Sequence, residues 1–145
     1  MELLNKENIT IIERVHSWQE AIQVATYPLI HSGCVEATYR EAIINNVKMH
    51  GKSFVISPFV ILPHARPQQG VIKNGVSIVL LKKPCYFMES STPIKLIVVM
   101  ASLDSRSHLS TLQSISSVLN EQRRSDQIIN SCCVEELYDA FIEGM

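Results

Sequence analysis

A histidine held between two prolines is the first feature of this sequence that could do chemistry. His64 stands in the segment Ile61-Leu-Pro-His-Ala-Arg-Pro67, directly after a short apolar run. Pro63 and Pro67 each fix a backbone φ angle, and Arg66 is biased towards an extended conformation because it precedes a proline. The pKa of imidazole lies close to neutral pH, so this group can carry a proton or act as a nucleophile. His64 is therefore a candidate nucleophile or proton carrier, and a structural histidine is the alternative that these local features leave open.

Two further residues could assist such a histidine. Arg66 could hold an anion through its guanidinium fork, or it could be a solvated loop charge. His108 follows Asp104-Ser-Arg-Ser107, residue types that favour a helix N-cap, so we expect it in the first turn of a helix. The free amides and the dipole of that turn favour an anion and disfavour a protonated imidazole. His108 shares a helical stripe with Leu112 and Ile115 and should face inward, where a buried structural histidine is again the alternative.

Composition and spacing argue against several other kinds of protein. The 13 Lys and Arg residues balance 14 Asp and Glu residues without a basic block, so we expect no nucleic-acid partner. No histidine or carboxylate spacing suggests a metal site, and Gly70 and Gly75 do not form a nucleotide-binding loop, so we expect no cofactor. The longest apolar runs fall far short of the roughly 20 residues that span a bilayer. The cysteines lack a paired spacing, which favours a reduced, cytoplasmic protein.

The elements that must position these residues follow from the hydrophobic pattern. At 145 residues the chain has the length of a single domain, residues 1–145. Two continuous apolar runs, Val76–Leu81 and Ile94–Ala101, are typical of strands covered on both faces. The sequence therefore predicts an α/β fold, a mixed β-sheet of about five strands flanked by helices on both faces. The other predicted strands are Ile9–Val15, Phe54–Ile56 and Phe59–Leu62; the predicted helices are 17–33 (kinked or shortened by Pro28), Val35–His50, Leu109–Leu119, Ser125–Asn130 and Val134–Glu143.

The residues around His64 resemble the active-site segment of the IIA components of the bacterial sugar phosphotransferase system, mannitol/fructose class. The resemblance rests on Pro63-His-Ala-Arg-Pro-Gln-Gln-Gly-Val71, on the preceding Phe54–Leu62 and on Gly75-Val-Ser-Ile-Val-Leu-Leu-Lys-Lys-Pro84. It extends to Ile94–Ala101 and His108 and so covers nearly the whole chain. Within the class, the arginine two residues after the histidine and the Lys-Lys-Pro that closes the next strand look most like the ascorbate-type branch. The resemblance implies the mannitol-type IIA fold, which matches the predicted elements.

The same resemblance implies a phosphoryl relay. His64 would accept a phosphoryl group from the phosphohistidine of HPr and pass it to a cysteine of a cognate IIB component, which serves a membrane IIC permease. His108 matches the second family histidine, which helps to hold the phosphoryl group. Mannitol-type members carry an arginine at the end of the second helix, where this chain has Asn45-Asn46. Arg66 is the candidate to supply the missing cation, and ascorbate is the sugar that the branch similarity suggests.

Two other functions are alternatives to the relay. The same fold could serve as a regulatory module that is phosphorylated without a IIB acceptor, and mixing the phosphorylated protein with IIB domains would separate the two. A Cys-His hydrolase would require Cys132 or Cys133 to lie near His64 or His108.

Overall fold

One mixed β-sheet with helices on both faces makes up the computed structural model of this chain, which describes residues 4–145; residues 1–3 of the predicted 1–145 domain lie outside the described part. The strands of the described part are β1 (Ile9–Ile12), β2 (Val55–Ser57), β3 (Phe59–Ile61), β4 (Gly75–Cys85) and β5 (Ile94–Ala101). The helices are α1 (Trp18–His31), α2 (Ala37–His50), α3 (Ser105–Leu119), α4 (Gln122–Ile129) and α5 (Val134–Glu143). The strands lie side by side in the order β1-β4-β5-β3-β2, with β1 parallel to β4 and β3 parallel to β5. The other neighbouring strands are antiparallel, so the sheet is mixed as the sequence predicts.

The two central strands divide the core into two layers. Alternate side chains of β4 and β5 point to opposite faces, because successive residues of a strand do so. One set packs with α1 and α2, and the other packs with α3, α4 and α5. The first set comprises Val79, Leu81, Ile97 and Val99, and the second comprises Ile78, Leu80, Leu96 and Val98, all buried. The continuous apolar runs therefore mark strands covered on both faces, and the predicted fold class is confirmed.

Several element bounds differ from those that the pattern predicts. The first strand ends at Ile12, short of Val15, and the fourth continues past its apolar run through exposed residues to Cys85. The first helix continues through Pro28 to His31 instead of being shortened there. Pro28 lacks an amide donor, but its carbonyl still accepts a hydrogen bond from the Ser32 amide at 3.0 Å, which completes the last turn.

The second strand and the fourth helix are also displaced from their predicted bounds. Phe54 lies in a 3-10 turn (Gly51–Phe54) instead of in a strand, so β2 begins one residue later. The fourth helix begins at Gln122, before the predicted Ser125. These shifts leave β3, from which the chain enters the His64 segment, in its predicted place.

The parallel pairing of β3 with β5 positions the two candidate histidines. Ile61 of β3 lies opposite Ile97 of β5, and both strands run in the same direction. The chain leaves β3 into the segment that carries His64, and it leaves β5 into the turn that begins α3 and carries His108. Because the carboxyl ends of parallel neighbours meet at one edge of a sheet, the two histidines are brought together there.

Candidate active site

A surface cleft of about 340 Å³ lies at this edge of the sheet, and all three predicted site residues line it. The rings of His64 and His108 face each other with their centroids 4.9 Å apart and their planes inclined by 58°. Arg66 forms part of the rim. The remaining lining residues are Asn46, Phe54, Ala65, Pro67, Asp104 and Ser105.

The ring of His64 is held in one orientation. Its Nδ1 atom lies 3.0 Å from the carbonyl oxygen of Leu62, and the ring of Phe54 presents a T-shaped contact with centroids 5.1 Å apart. A carbonyl oxygen can only accept a hydrogen bond, so Nδ1 must carry the proton and donate it. The neutral ring then has its lone pair on Nε2, the atom that is free to act as a nucleophile.

The surroundings of His64 favour the neutral imidazole. Burial lowers the pKa of His64 below its ordinary value, and the nearby charge of His108 lowers this pKa further. The hydrogen bond to the Leu62 carbonyl opposes both effects by raising the same pKa. Burial has the largest effect of the three, because it removes water from the charged form of the ring. His64 is therefore in its nucleophilic form at neutral pH.

His108 lies in the first turn of α3, as the sequence predicts. The Asp104 side chain caps the helix by accepting a hydrogen bond from the Ser107 amide at 2.8 Å, and the His108 amide bonds the Asp104 carbonyl oxygen at 3.0 Å. Hydrogen bonding by Ser107, from its backbone amide first and its side chain second, holds the pKa of the Asp104 carboxyl below its usual range. The His108 side chain is half-buried against the cleft, whereas Leu109, part of the apolar pattern that marked this helix, is 56% exposed.

Arg66 is exposed at the cleft rim, at the start of a 3-10 turn (Pro67–Gln69). Gln69 fixes the backbone of Arg66 through two hydrogen bonds. The side-chain Oε1 of Gln69 accepts from the Arg66 amide at 2.9 Å, and the backbone amide of Gln69 donates to the Arg66 carbonyl at 2.9 Å. Within residues 4–145 the Arg66 guanidinium group has no carboxylate partner, unlike that of Arg40, which pairs with Glu41. Arg66 thus places an exposed cationic side chain at the rim of the cleft.

Two side chains of α2 reach the His64 loop. The Nδ2 atom of Asn46 donates to the His64 carbonyl oxygen at 3.2 Å, and the hydroxyl of Tyr39 accepts from the Ala65 amide at 3.2 Å. The sequence marked Asn46 only as a departure from a family pattern, and it marked Tyr39 only as an apolar position of the second helix, with no role in the site. A tyrosine within an apolar helical stripe has no sequence signal that distinguishes such a role from ordinary packing.

The loop beyond Arg66 is also closely packed against α2. Gly70 has a φ angle of 130°, and a β-carbon built there would lie 3.1 Å from both the Tyr39 β-carbon and the Tyr39 amide nitrogen. A residue with a side chain would therefore be strained at this position. Asn74, which follows this loop, accepts from the Leu103 amide at 2.7 Å and donates to the Ser107 hydroxyl at 3.3 Å. The end of the loop that leads from His64 to β4 is thus bonded to the start of α3.

Other site types receive little support from the described residues. Within residues 4–145 no group of three or more His, Cys, Asp or Glu side chains is arranged to hold a metal ion. Cys132 and Cys133 are exposed at the start of α5, and neither lines the cleft. In the same range, no helix combines the length and the apolar character needed to cross a membrane.

The sequence matches one known protein family along almost its whole length. Residues 2–144 match the family described as "Phosphoenolpyruvate-dependent sugar phosphotransferase system, EIIA 2". The mannitol-specific cryptic phosphotransferase enzyme IIA component of Escherichia coli (strain K12) is 30% identical over 139 residues, which cover 96% of this chain and 95% of that protein. The ascorbate-specific PTS system EIIA component of Salmonella typhi is 31% identical over 139 residues, which cover 94% of this chain and 90% of that protein.

Solved structures share the fold. The solution structure of the mannitol-specific cryptic phosphotransferase enzyme IIA from Escherichia coli superposes with a TM-score of 0.91 at 29% identity, covering 97% of this chain and 96% of that one. A complex of mannitol enzyme IIA with phosphorylated enzyme IIB from Escherichia coli contains a chain that superposes with a TM-score of 0.82 at 20% identity, covering 97% of each chain.

Proposed function

This chain belongs to the EIIA 2 family of the phosphoenolpyruvate-dependent sugar phosphotransferase system, and on that premise we propose that it relays a phosphoryl group through His64. In this proposal His64 takes the group from phospho-HPr and passes it to a cysteine of a cognate IIB component in the cytoplasm. The observation that carries the proposal is the orientation of His64: its Nδ1 is bound to the Leu62 carbonyl, which leaves the lone pair on Nε2, and the centroid of its ring lies 4.9 Å from that of His108.

Both steps of the proposed relay balance without a cofactor. In the first, Nε2 of His64 attacks the phosphorus of phospho-HPr, a P–N bond forms, and the bond to the donor imidazole breaks. In the second, a cysteine thiolate of IIB attacks the same phosphorus, a P–S bond forms, and the electron pair of the broken P–N bond returns to Nε2. Such transfers pass through a loose, in-line transition state, so catalysis depends mainly on positioning and on stabilisation of charge.

His108 and Arg66 are proposed to stabilise the phosphoryl charge. His108 faces His64 at a centroid distance of 4.9 Å, within reach of a group attached to Nε2. The free amides at the start of α3 add partial positive charge at the same place. Arg66 contributes a guanidinium group that can pair with two phosphoryl oxygens.

The acceptor is proposed to be a IIB component. A related fold is known in a complex of mannitol enzyme IIA with phosphorylated enzyme IIB, which supports a IIB partner for this chain. Relatives with about equal identity bear ascorbate-specific and mannitol-specific names. Ascorbate-type and mannitol-type IIB components are therefore the two acceptors to compare, and the ascorbate type is our first choice.

The proposal is tested by intact mass after incubation with phosphoenolpyruvate, enzyme I and HPr. The wild-type chain should gain the mass of one phosphoryl group, and His64→Ala should gain none. His16→Ala, which removes an exposed histidine outside the cleft, is the matched control and should be labelled normally. Full labelling of His64→Ala would overturn the assignment. Phosphorylated protein that keeps its label with every IIB component tested would instead favour the regulatory module.

A further inference from the structure

One helix holds both polar atoms of the peptide group that joins His64 to Ala65. Asn46 donates to the carbonyl oxygen of this group at 3.2 Å, and the Tyr39 hydroxyl accepts from its amide at 3.2 Å. Tyr39 and Asn46 are seven positions apart in α2, and residues with this spacing lie on the same helix face two turns apart. Side chains of one helix thus hydrogen-bond both the carbonyl and the amide of the peptide group that follows His64.

Tyr39 also connects this peptide group to the strand that leads to His108. Its hydroxyl donates to the carbonyl oxygen of Met100 in β5 at 2.7 Å, while it accepts from Ala65. The side chain is fully buried. Burial raises the pKa of Tyr39 to about 12, so the phenol keeps the proton that it donates.

Tyr39 and Asn46 supply hydrogen bonds to this peptide group where the β-sheet supplies none. β3 ends at Ile61, so the peptide group after His64 lies beyond the strand ladder. The carbonyl of Leu62, which orients the His64 ring, belongs to the same short segment, and the Leu62 amide is bonded to the Phe54 carbonyl at 2.8 Å. A shift of the segment would therefore move the ring as well as the backbone.

We propose that Tyr39 and Asn46 are positioning residues that together fix the peptide group after His64, and through it the placement of the His64 ring relative to His108 for phosphoryl transfer. The inference rests on the proposed relay. Neither side chain needs to touch the phosphoryl group. Both act by holding the nucleophile where His108 can meet the group that it receives.

The test compares single-turnover transfer from phospho-HPr in Tyr39→Phe, Asn46→Ala and the double variant. Each single change removes one hydrogen bond from the peptide group without creating a charge. Because misplacement of a reacting atom by about 1 Å can cost up to about 10²-fold in rate, we expect each single variant to be about 10- to 100-fold slower. The two changes loosen one peptide group, so the double variant should be slower by less than the product of the single effects.

The chain offers a matched control for each substitution. Tyr27→Phe changes an exposed tyrosine, and Asn45→Ala changes the exposed asparagine next to Asn46; both should transfer at the wild-type rate. Ser77→Ala removes a buried hydroxyl that donates to the Ala25 carbonyl, and neither residue lines the cleft. It should lower the melting temperature while transfer per folded molecule stays normal, which gives the behaviour of a purely structural loss.

A spectroscopic readout separates positioning from stability. Imidazole ¹⁵N shifts should report a proton on Nδ1 of His64 in the wild type and in the three controls, and a mixture of tautomers in Tyr39→Phe and Asn46→Ala. Wild-type transfer rates in both variants, or slow transfer with an unchanged ring spectrum, would overturn the inference. A wild-type chain that takes no phosphoryl group on His64 would instead refute the proposed relay, so the two failures are distinct.

Discussion

Removal of the His108 side chain should slow transfer severely while leaving the fold almost intact. His108 is half-buried in the first turn of α3, and the helix cap is made by Asp104, which the substitution does not touch. We expect His108→Ala to lower the free energy of unfolding by about 1 kcal/mol, in line with partly exposed positions. A domain of this size then loses roughly 2–4 °C in Tm. Loss of one donor to a developing oxyanion commonly costs about 10²–10³-fold in rate.

The small loss of stability and the large loss of rate together distinguish a structural role of His108 from a role in transfer. A domain that starts with about 5 kcal/mol of stability or more remains over 99% folded at 25 °C after losing about 1 kcal/mol, so a structural role would change the transfer rate by less than about 1%. Thermal unfolding and single-turnover transfer to IIB should be measured on the same preparation of His108→Ala. The variant should still become fully labelled on His64, because the nucleophile is intact.

Two comparisons complete the experiment. His108→Gln keeps an N–H donor and should recover part of the lost rate, and His16→Ala should behave as the wild type. Normal transfer to IIB by His108→Ala, together with a lowered Tm, would refute the reasoning and leave His108 as a structural residue.

Three further predictions follow from the charges at the cleft. Arg66→Lys should slow transfer to and from His64 because a point charge cannot reproduce the paired contacts of a guanidinium fork; unchanged single-turnover rates in both directions would mean that Arg66 is only a solvated charge. Since the pKa of His64 is lowered, acceptance should persist through the ordinary histidine pKa of about 6.5 and fall only at more acidic pH, when the imidazole gains a proton. Initial rates against pH should show this acid limb moving to higher pH in His108→Ala, which removes one cause of the lowered pKa; an unmoved limb would contradict it. Stability should decline over the same window below about pH 6.5, because there the unfolded chain binds more protons than the folded one.

The layered sheet could be predicted because its signals are local. The apolar runs that became β4 and β5 lack alternation, which is typical of strands covered on both faces, and both faces are covered in the structure. The order of the strands could not be predicted from the sequence, because the pairing of β3 with β5 depends on contacts between distant segments. Pro28 illustrates the limit of local rules: it removes one amide donor, yet α1 continues to His31, with Leu29 of its last turn packed in the core.

The site could be predicted only as far as its residue types reveal chemistry. His64 and His108 stand out by their loop and cap surroundings, and the structure brings their rings together. Tyr39 and Asn46 do not stand out, because their role is to bond backbone atoms of a loop 26 and 18 residues away in the chain. A residue that acts on remote backbone carries no pattern of its own, so it becomes visible only once the tertiary structure is known.

The parallel pairing of β3 with β5 also bears on how the chain folds. β4 lies between these strands in sequence and forms an antiparallel pair with β5, so the β4–β5 hairpin can form while β3 is still free. Docking of β3 closes a longer loop and costs more chain entropy before its contacts form. Until β3 docks beside β5, the His64 ring lacks its neighbour His108 on α3. In the proposed relay, a chain with β3 undocked should accept the phosphoryl group more slowly than the native chain, so the initial rate of labelling, sampled during refolding, should rise as β3 docks.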